Sequence, residues 1–160
     1  AGLTDLVVLK TTGSEFWGFP RDRYTTLPET TDRILATAVT ARWRYRGTDV
    51  DFDATYAGIR STLLAAFAAT HSLALQQTLY AMGEAVLEQF SDVAEIRFSM
   101  PNKHHFLQDL SAFGLENALD GEGSAVYHAD DRPYGLIEGS VLRDDVPAAP
   151  IAWRGTPGFC

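Results

Sequence analysis

The sequence contains almost no cysteine and no long apolar run. Cys160 is the only cysteine and the last residue, so internal disulfides and cysteine-based zinc sites are excluded. We therefore expect a reducing, cytoplasmic compartment. No apolar stretch approaches the length of a membrane span, and the start AGLTDLVVLK does not resemble a signal peptide. The end, Gly158-Phe159-Cys160, lacks a peroxisomal S-K-L signal.

Positive charge is scarce as well. The 160 residues include 13 Lys and Arg against 21 Asp and Glu, which gives a formal net charge of −8 and a sequence pI near 4.8. Nucleic-acid binding requires a basic face, so the composition argues against such a partner. It does not exclude a small anion held by one or two arginines. With 46% hydrophobic and 21% charged residues, the chain is typical of one globular domain.

Several familiar catalytic motifs are absent. The 13 glycines are scattered and form neither a dinucleotide-binding loop, nor a P-loop, nor a G-x-S-x-G elbow. Of the four histidines, His104 and His105 are adjacent, whereas His71 and His128 are distant in sequence. Adjacent residues of a strand point to opposite faces, so at most one of the pair serves a given site. The sequence therefore does not favour a metal site.

Hydrophobic periodicity divides the chain into helices and strands. Apolar residues recur at helical spacing over 54–69 and 72–90, with Asp51 or Asp53 as the cap of the first helix and Ser72 as the cap of the second. Strand-like patterns cover 3–12, 30–46, 94–100, 125–128 and 136–142. We expect Pro101 to end regular pairing or to mark an edge.

The order β-β-α-α-β-β predicts an α+β fold, in which two helices cover one face of an antiparallel four-stranded sheet. The second strand alternates an apolar face with one that bears Arg42, Arg44 and Arg46, so we expect that face to border a solvated space. Exposed sheet edges favour oligomerisation. We predict a single domain over residues 1–143 and a Pro- and Gly-rich tail over 144–160 that lies on a neighbouring subunit.

The segment 14–33 combines residues suited to bind a flat, anionic molecule. The rings of Phe16 and Trp17 can stack on a ligand ring, and the guanidinium of Arg33 can donate paired hydrogen bonds to an anionic or carbonyl edge. Aromatic residues at strand ends belong more often to the core, so this pattern alone does not establish a site.

Three further polar residues are candidates, each of which also fits a structural role. His104 suits proton transfer, because an imidazole titrates near neutral pH. Asn102 can both donate and accept hydrogen bonds, although asparagine is common in turns. Gln76 lies near the start of the second predicted helix, where its amide and the free backbone N–H groups offer donors to an anion.

Four runs together carry a resemblance to a known family. They are LVVLKTTGSEFWGFPRDRYTTLPETTDRILAT, LQQTLY, SMPNKHHF and PYGLIEGSV. In order and with few gaps, the match extends over residues 2 to about 143 and resembles the C-terminal half of urate oxidase (uricase). The resemblance implies the tunnelling fold (T-fold), a β-β-α-α-β-β unit. Each family subunit holds two such units, and the tetramer forms a barrel-like tunnel.

The resemblance also implies a reaction and a set of binding residues. Uricases oxidise urate with O2 to 5-hydroxyisourate and H2O2, without a metal or an organic cofactor. By this resemblance Phe16 would stack on the purine ring, and Arg33 would clamp one edge of it with two hydrogen bonds. Gln76, together with the backbone N–H of Leu75, would bind the opposite edge.

The remaining implied roles concern oxygen and protons. Asn102 would hold O2 or water above the ring, and His104 would belong to the proton relay that ionises urate and guides the water. Ile137 matches a position in the pocket wall. A deprotonated, electron-rich urate can pass an electron to O2 directly, so the protein needs only to orient it and stabilise its charge.

The match covers only half of a family subunit. The N-terminal half carries a relay Lys and a Thr-Asp pair that reach the substrate from a neighbouring subunit, and neither is identifiable here. Lys10 and Thr25-Thr26 lie in different motifs. We therefore expect an incomplete site in this chain alone. The absent initiator Met and the abrupt start favour a split or processed protein over an isolated domain, with a second chain supplying the other half.

Two other functions stay open on the sequence alone. One is another purine- or pterin-handling T-fold enzyme, such as a zinc-dependent cyclohydrolase, which would need a Cys/His metal set that this chain lacks. The other is a non-catalytic assembly domain that forms rings without turning over a substrate. Metal analysis addresses the first, and loss of urate with formation of H2O2 addresses the second.

Overall fold

Two α-helices pack on one face of an antiparallel sheet in a computed structural model of the chain. The structure describes residues 1–117, 125–130, 132, 134–156 and 158–159. The helices are α1 (Phe52–Ala69) and α2 (Leu75–Gln89). The strands are β1 (Gly2–Lys10), β2 (Leu35–Tyr45), β3 (Val93–Leu107), β4 (Tyr127–Asp130) and β5 (Leu136–Leu142).

The sheet has the order β1-β2-β3, and β3 pairs with two strands on its other side. β5 pairs with Glu95–Pro101 of β3, and β4 pairs with His104–Leu107 of the same strand. All of these pairings are antiparallel. The predicted α+β fold is therefore confirmed, with the fourth strand divided into two pieces at the two predicted strand segments.

The core lies between the helices and one face of the sheet. Alternate residues of β2 and β3 point into it, and they meet residues spaced three or four apart on the helices. Its largest fully buried side chains include Trp43, Phe98, Leu35, Ile59, Leu63, Met82, Ile96, Met100, Val39 and Val86. Each contributes about 1.5–3 kcal/mol when it is removed from water, so this layer is the main source of stability.

The two helices begin in different ways. The Asp51 carboxylate accepts a hydrogen bond from the Ala54 N–H at 3.0 Å, which identifies Asp51 as the cap of α1. The prediction that Ser72 caps α2 is wrong: α2 begins at Leu75, and Ala74 at its N-cap offers no side-chain hydrogen bond. Ser72 is instead buried, and its hydroxyl donates to the Ala74 carbonyl. The first N–H groups of α2 are therefore left without a capping side chain.

The second strand starts later than its sequence pattern indicates. The carboxylate of Asp32 accepts hydrogen bonds from the Thr12 hydroxyl at 2.8 Å and from the Gly13 N–H at 3.1 Å. These bonds turn the chain, so β2 begins at Leu35 rather than at residue 30. Arg33 consequently lies in the segment before the strand, outside the sheet ladder.

Pro101 does not end the third strand. β3 continues to Leu107, seven residues beyond the predicted end. The paired residues of β2 and β3 skip Met100 and Pro101 but keep one register from Ser99 to Asn102. Proline lacks the N–H for one ladder bond, so the ladder is interrupted while the pleat continues.

The described part of the tail lies on the other face of the same sheet. The indole N–H of Trp153 donates to Glu95 at 3.1 Å, and the guanidinium of Arg97 lies 4.4 Å from the Trp153 ring centroid. Arg44 donates to the Pro147 carbonyl at 3.2 Å. Glu95 is 3% exposed, so this part of the polar face is covered rather than solvated, and the tail contacts its own chain where a neighbouring subunit was expected.

Some predictions fall outside the described residues. Cys160, at the end of the predicted tail, is among them. Within the described ranges, no helix is both long and apolar enough to cross a membrane.

Gly83 on α2 tests how closely the helix packs on the sheet. A Cβ added there would meet the Val141 side chain, whose Cβ lies 2.9 Å away, and the Phe98 ring at 3.3 Å. Alanine gains about 1 kcal/mol of helix propensity over glycine, but such overpacking costs about 1–3 kcal/mol. We expect Gly83→Ala to lower the melting temperature. Gly47→Ala, with no atom within 4 Å of the added Cβ, is the control; an equal effect of both would contradict close packing.

Candidate active site

A pocket of about 250 Å³ lies beside the free end of β3. Lys103 is the last residue of β3 in the β2 ladder, because β2 has only just begun there. Beyond it, the 27–34 segment borders the open side of the strand and forms the other wall of the pocket. The late start of β2 therefore creates the space in which a ligand fits.

The structure brings four of the seven predicted site residues together in this pocket. Phe16, Arg33, Asn102 and His104 all line it, although they come from two segments about 70–90 residues apart. The other three predicted residues do not line it. Leu75 is buried in the core, Gln76 is exposed in the first turn of α2, and Ile137 packs partly against the core.

Phe16 is held by its backbone. Its N–H donates to the Thr30 carbonyl at 2.8 Å, and the Thr30 N–H donates back to the Phe16 carbonyl at 3.0 Å. The Phe16 ring stacks on Phe19 at a centroid distance of 4.9 Å, and the Arg33 guanidinium lies 5.0 Å from its centroid. A flat ligand that stacks on Phe16 therefore competes with one of these neighbours for a ring face.

Arg33 carries a charge without a counter-ion. Its Nε is buried and has no hydrogen-bond partner, and no carboxylate among the described residues forms an ion pair with it. Burial lowers the pKa of Arg33, yet a guanidinium stays protonated in proteins. Arg33 as a whole is half-buried, and a buried Nε that has lost water without gaining a partner among the described residues is unfavourable, so this part of the site favours an anion.

His104 is predisposed to be neutral. Its ring stacks on Phe106 at 5.5 Å, and burial lowers its pKa, with the nearby positive charge of Arg33 as the second cause. Asp130 acts in the opposite direction, and His105 adds a smaller lowering effect. A neutral imidazole can accept a proton at pH 7, as a general base must.

The pleat of β3 fixes which way these side chains point. Asn102 and His104 follow Met100 at intervals of two, so they share the face on which the helices pack. Lys103 and His105 alternate with them. Both His104 and His105 line the pocket, although the pleat points their side chains to opposite faces. The pocket lies along the open edge of the strand, where side chains of both faces reach it.

A short clasp connects the Phe16 segment to the start of α2. The Glu15 N–H donates to the Ser72 carbonyl at 2.8 Å, and the Ser72 N–H donates to the Gly13 carbonyl at 2.9 Å. Ser72 lies three residues before Leu75. Two predicted walls of the site, the aromatic segment and the N-terminus of α2, are thus joined by main-chain hydrogen bonds. Ile137 lies opposite Met100, on the same helix-packed face.

Side chains from two distant segments reinforce this clasp, and sequence analysis did not identify them. The His71 ring forms a hydrogen bond with the Glu15 carboxylate, and the indole N–H of Trp17 donates to the same carboxylate. The hydrogen bonds from His71 and then Trp17 hold the pKa of Glu15 below its usual value. The Trp17 side chain is 59% exposed and is not among the residues that line the pocket, unlike that of Phe16. Glu15 and His71 are 56 residues apart, so no local pattern links them.

The described residues contain no group of three or more His, Cys, Asp or Glu side chains that could hold a metal ion. Most of the polar side chains that line the pocket carry donors, in the amide, imidazole, ammonium and guanidinium groups of the residues named above, and the Asp32 carboxylate and the Tyr127 hydroxyl line it as well. That donor-rich set, placed beside an aromatic ring, suits a planar anion.

Comparison with known proteins identifies relatives over nearly the whole chain. The family model for uricase matches residues 1–138. Uricase from Arthrobacter globiformis is 59% identical over 160 residues, which are 100% of this chain and 51% of that protein. Uricase from Dictyostelium discoideum is 38% identical, over 89% of this chain and 48% of that protein. The chain thus spans about half the length of the curated relatives it matches.

Solved structures give the same result. The crystal structure of Arthrobacter globiformis uricase superposes with a TM-score of 0.89 at 59% identity, over 95% of this chain and 51% of that one. A uricase from Bacillus fastidious superposes at 0.76 with 28% identity, over 88% of this chain and 43% of that one. Sequence and fold agree, and the chain belongs to the uricase family.

Proposed function

We propose that this chain forms one wall of a urate oxidase, which converts urate and O2 to 5-hydroxyisourate and H2O2 without a metal or organic cofactor. The observation that carries this proposal is the buried Nε of Arg33, which has no hydrogen-bond partner among the described residues and belongs to a guanidinium beside the Phe16 ring. Urate is a planar anion, so its charge can pair with Arg33 and its ring can replace a present neighbour of Phe16.

Urate binds flat in this proposal and is held at both edges. Its ring stacks on Phe16 and displaces a present neighbour of that ring, while Arg33 donates two hydrogen bonds to one edge. Gln76 and the Leu75 N–H bind the opposite edge, for which the uncapped first turn of α2 leaves donors available. Ile137 contributes to the apolar wall.

The chemistry is then a two-electron transfer with proton relay. His104, neutral because of burial and the nearby Arg33, accepts a proton as urate ionises. The electron-rich urate passes two electrons to O2, which Asn102 holds above the ring. Water adds its hydroxyl to the oxidised ring to give 5-hydroxyisourate, and the reduced O2 takes up two protons and leaves as H2O2. The protein contributes position and charge stabilisation.

The chain requires a complementary half in this proposal. An N-terminal uricase unit, in the same or a separate polypeptide, supplies the relay Lys and the Thr-Asp pair, and a tetramer closes the site. β1 is an edge strand, and its Val7 and Leu9 are 66% and 50% exposed, so a contact surface is available. We further propose one T-fold domain over residues 1–143, a tail over 144–160, and a cytoplasmic location.

The activity is tested with the chain alone and with an added N-terminal uricase unit. We expect urate consumption with formation of an equal amount of H2O2 only when both parts are present, because neither part holds a complete site. Metal analysis and chelator treatment accompany the assay. Rings that assemble but consume no urate would contradict the proposal and favour an assembly domain, and chelator-sensitive turnover would favour a metal-dependent enzyme.

Arg33 should control urate affinity. We expect Arg33→Ala to abolish urate binding, and Arg33→Lys to raise KM about tenfold to a hundredfold, because lysine keeps the charge but loses the paired donors. Steady-state kinetics of the assembled protein measures both. Arg60→Ala removes an exposed arginine of α1 and serves as the control. An unchanged KM in Arg33→Ala would show that the clamp is assigned wrongly.

His104 should titrate below the ordinary histidine pKa of about 6.5. The charge of Arg33 disfavours the imidazolium, so Arg33→Met should raise the pKa of His104, whereas Arg60→Met should leave it in place. The measurement is the pH titration of the His104 ring signal by NMR with 13C-labelled histidine. In turnover assays, His104→Ala should mainly reduce kcat. A His104 pKa that does not respond to Arg33→Met would argue against their electrostatic coupling.

A further inference from the structure

Thr37 is a fully buried residue whose hydroxyl has no partner. It lies in β2 with 0% exposure, and its Oγ1 makes no hydrogen bond with any described residue. Buried hydroxyl groups are normally satisfied, because water was given up when they were buried and an unmade bond is unfavourable. An orphan of this kind beside a functional pocket needs an explanation.

The residue paired with Thr37 across β3 is Asn102. Opposed residues of an antiparallel pair share one face and hold their Cβ atoms about 4.5–5.5 Å apart. The Asn102 N–H donates to the Gly135 carbonyl at 2.9 Å, but its side-chain amide forms no hydrogen bond with the described residues. Two unpartnered polar side chains therefore face each other at the inner end of the pocket.

The other sheet side chains next to Thr37 on this face are apolar. Val8 lies opposite it on β1, and Leu35 and Val39 flank it along the same face of β2. All three are buried apolar residues. Among the directly adjacent sheet side chains on this face, Asn102 alone carries a hydrogen-bonding group. The Thr37 hydroxyl and the Asn102 amide are not hydrogen-bonded in their present rotamers. A contact between them requires rotation about χ1 of Thr37 or about χ1 or χ2 of Asn102.

We propose that Thr37 is the positioning residue for Asn102: its hydroxyl donates to Oδ1 of the amide and turns the Nδ2 hydrogens toward the pocket. The proposal rests on the proposed function, in which Asn102 holds O2. Oxygen gains negative charge as it is reduced, so it is stabilised by a donor and not by an acceptor. An amide presents a donor at one end and an acceptor at the other, and Thr37 selects the orientation that places the donor toward oxygen.

Two substitutions at Thr37 separate the hydroxyl from the packing. Thr37→Val replaces the hydroxyl with a methyl group, and Thr37→Ser keeps the hydroxyl. In the assembled enzyme we expect Thr37→Val to lower kcat about tenfold and to raise the KM for O2, while the KM for urate changes less than about twofold. Thr37→Ser should restore most of the turnover. A general structural defect would not raise the KM for O2 while leaving the KM for urate nearly unchanged.

Thr40→Val is the matched control. Thr40 lies on the same strand, is 6% exposed and points to the opposite face, where its hydroxyl accepts from the Asp5 N–H at 3.4 Å. We expect Thr40→Val to leave kcat and both KM values unchanged. Wild-type kinetics in Thr37→Val, or an equal loss in Thr40→Val, would overturn the role of Thr37.

A crystal structure of the assembled protein separates failure of this proposal from failure of the proposed function. If wild-type protein does not consume urate, the function is wrong, yet the positioning contact is still measurable. A separation of about 2.6–3.2 Å between Thr37 Oγ1 and Asn102 Oδ1 supports it. A longer separation overturns it whatever the kinetics show.

Discussion

The constant register between β2 and β3 determines where the candidate site lies. It is maintained from Ser99 to Lys103, through Pro101, so the alternation of faces carries from the apolar core directly into the polar run that follows. Asn102 and His104 thereby share a face with Met100. A slip of one residue at the proline would exchange them with Lys103 and His105. The register that packs the core residues of β3 therefore also determines which way the site residues of the same strand point.

Electrostatics then gives this geometry its chemical bias. Arg33 lies outside the sheet ladder because Asp32 turns the chain before β2, and its guanidinium reaches the Phe16 ring without forming an ion pair with any carboxylate among the described residues. Its charge favours an anion and also lowers the pKa of His104. In the proposed function one cation therefore serves both binding and proton transfer. A carboxylate paired with Arg33 would weaken both the attraction of an anion and the lowering of the His104 pKa.

The fold and four pocket residues could be predicted from the sequence, because element order and long motifs are local information. Boundaries were less accurate, since they depend on tertiary hydrogen bonds. Serine is common at helix N-caps, but the Ser72 hydroxyl donates to the Ala74 carbonyl and accepts from the Thr78 hydroxyl. Proline is common at strand ends, but β3 continues past Pro101 although this residue has no N–H for the ladder. The Glu15–His71 pair and the orphan hydroxyl of Thr37 depend on contacts between distant segments, which no single-sequence pattern reports.

The positions of Leu75, Gln76 and Ile137 outside the pocket have a physical explanation. The wall of Phe16 and Arg33 is joined to the segment before α2 by the main-chain hydrogen bonds of the clasp at Ser72. The segment with Phe16 borders one side of the pocket of about 250 Å³, and the exposed Gln76 is not among the residues that line it. A ligand that contacts both Phe16 and Gln76 must therefore extend beyond the present pocket. In the proposed enzyme the complementary half encloses that space, and because water must be excluded from a reactive anion, the proposed catalysis depends on assembly.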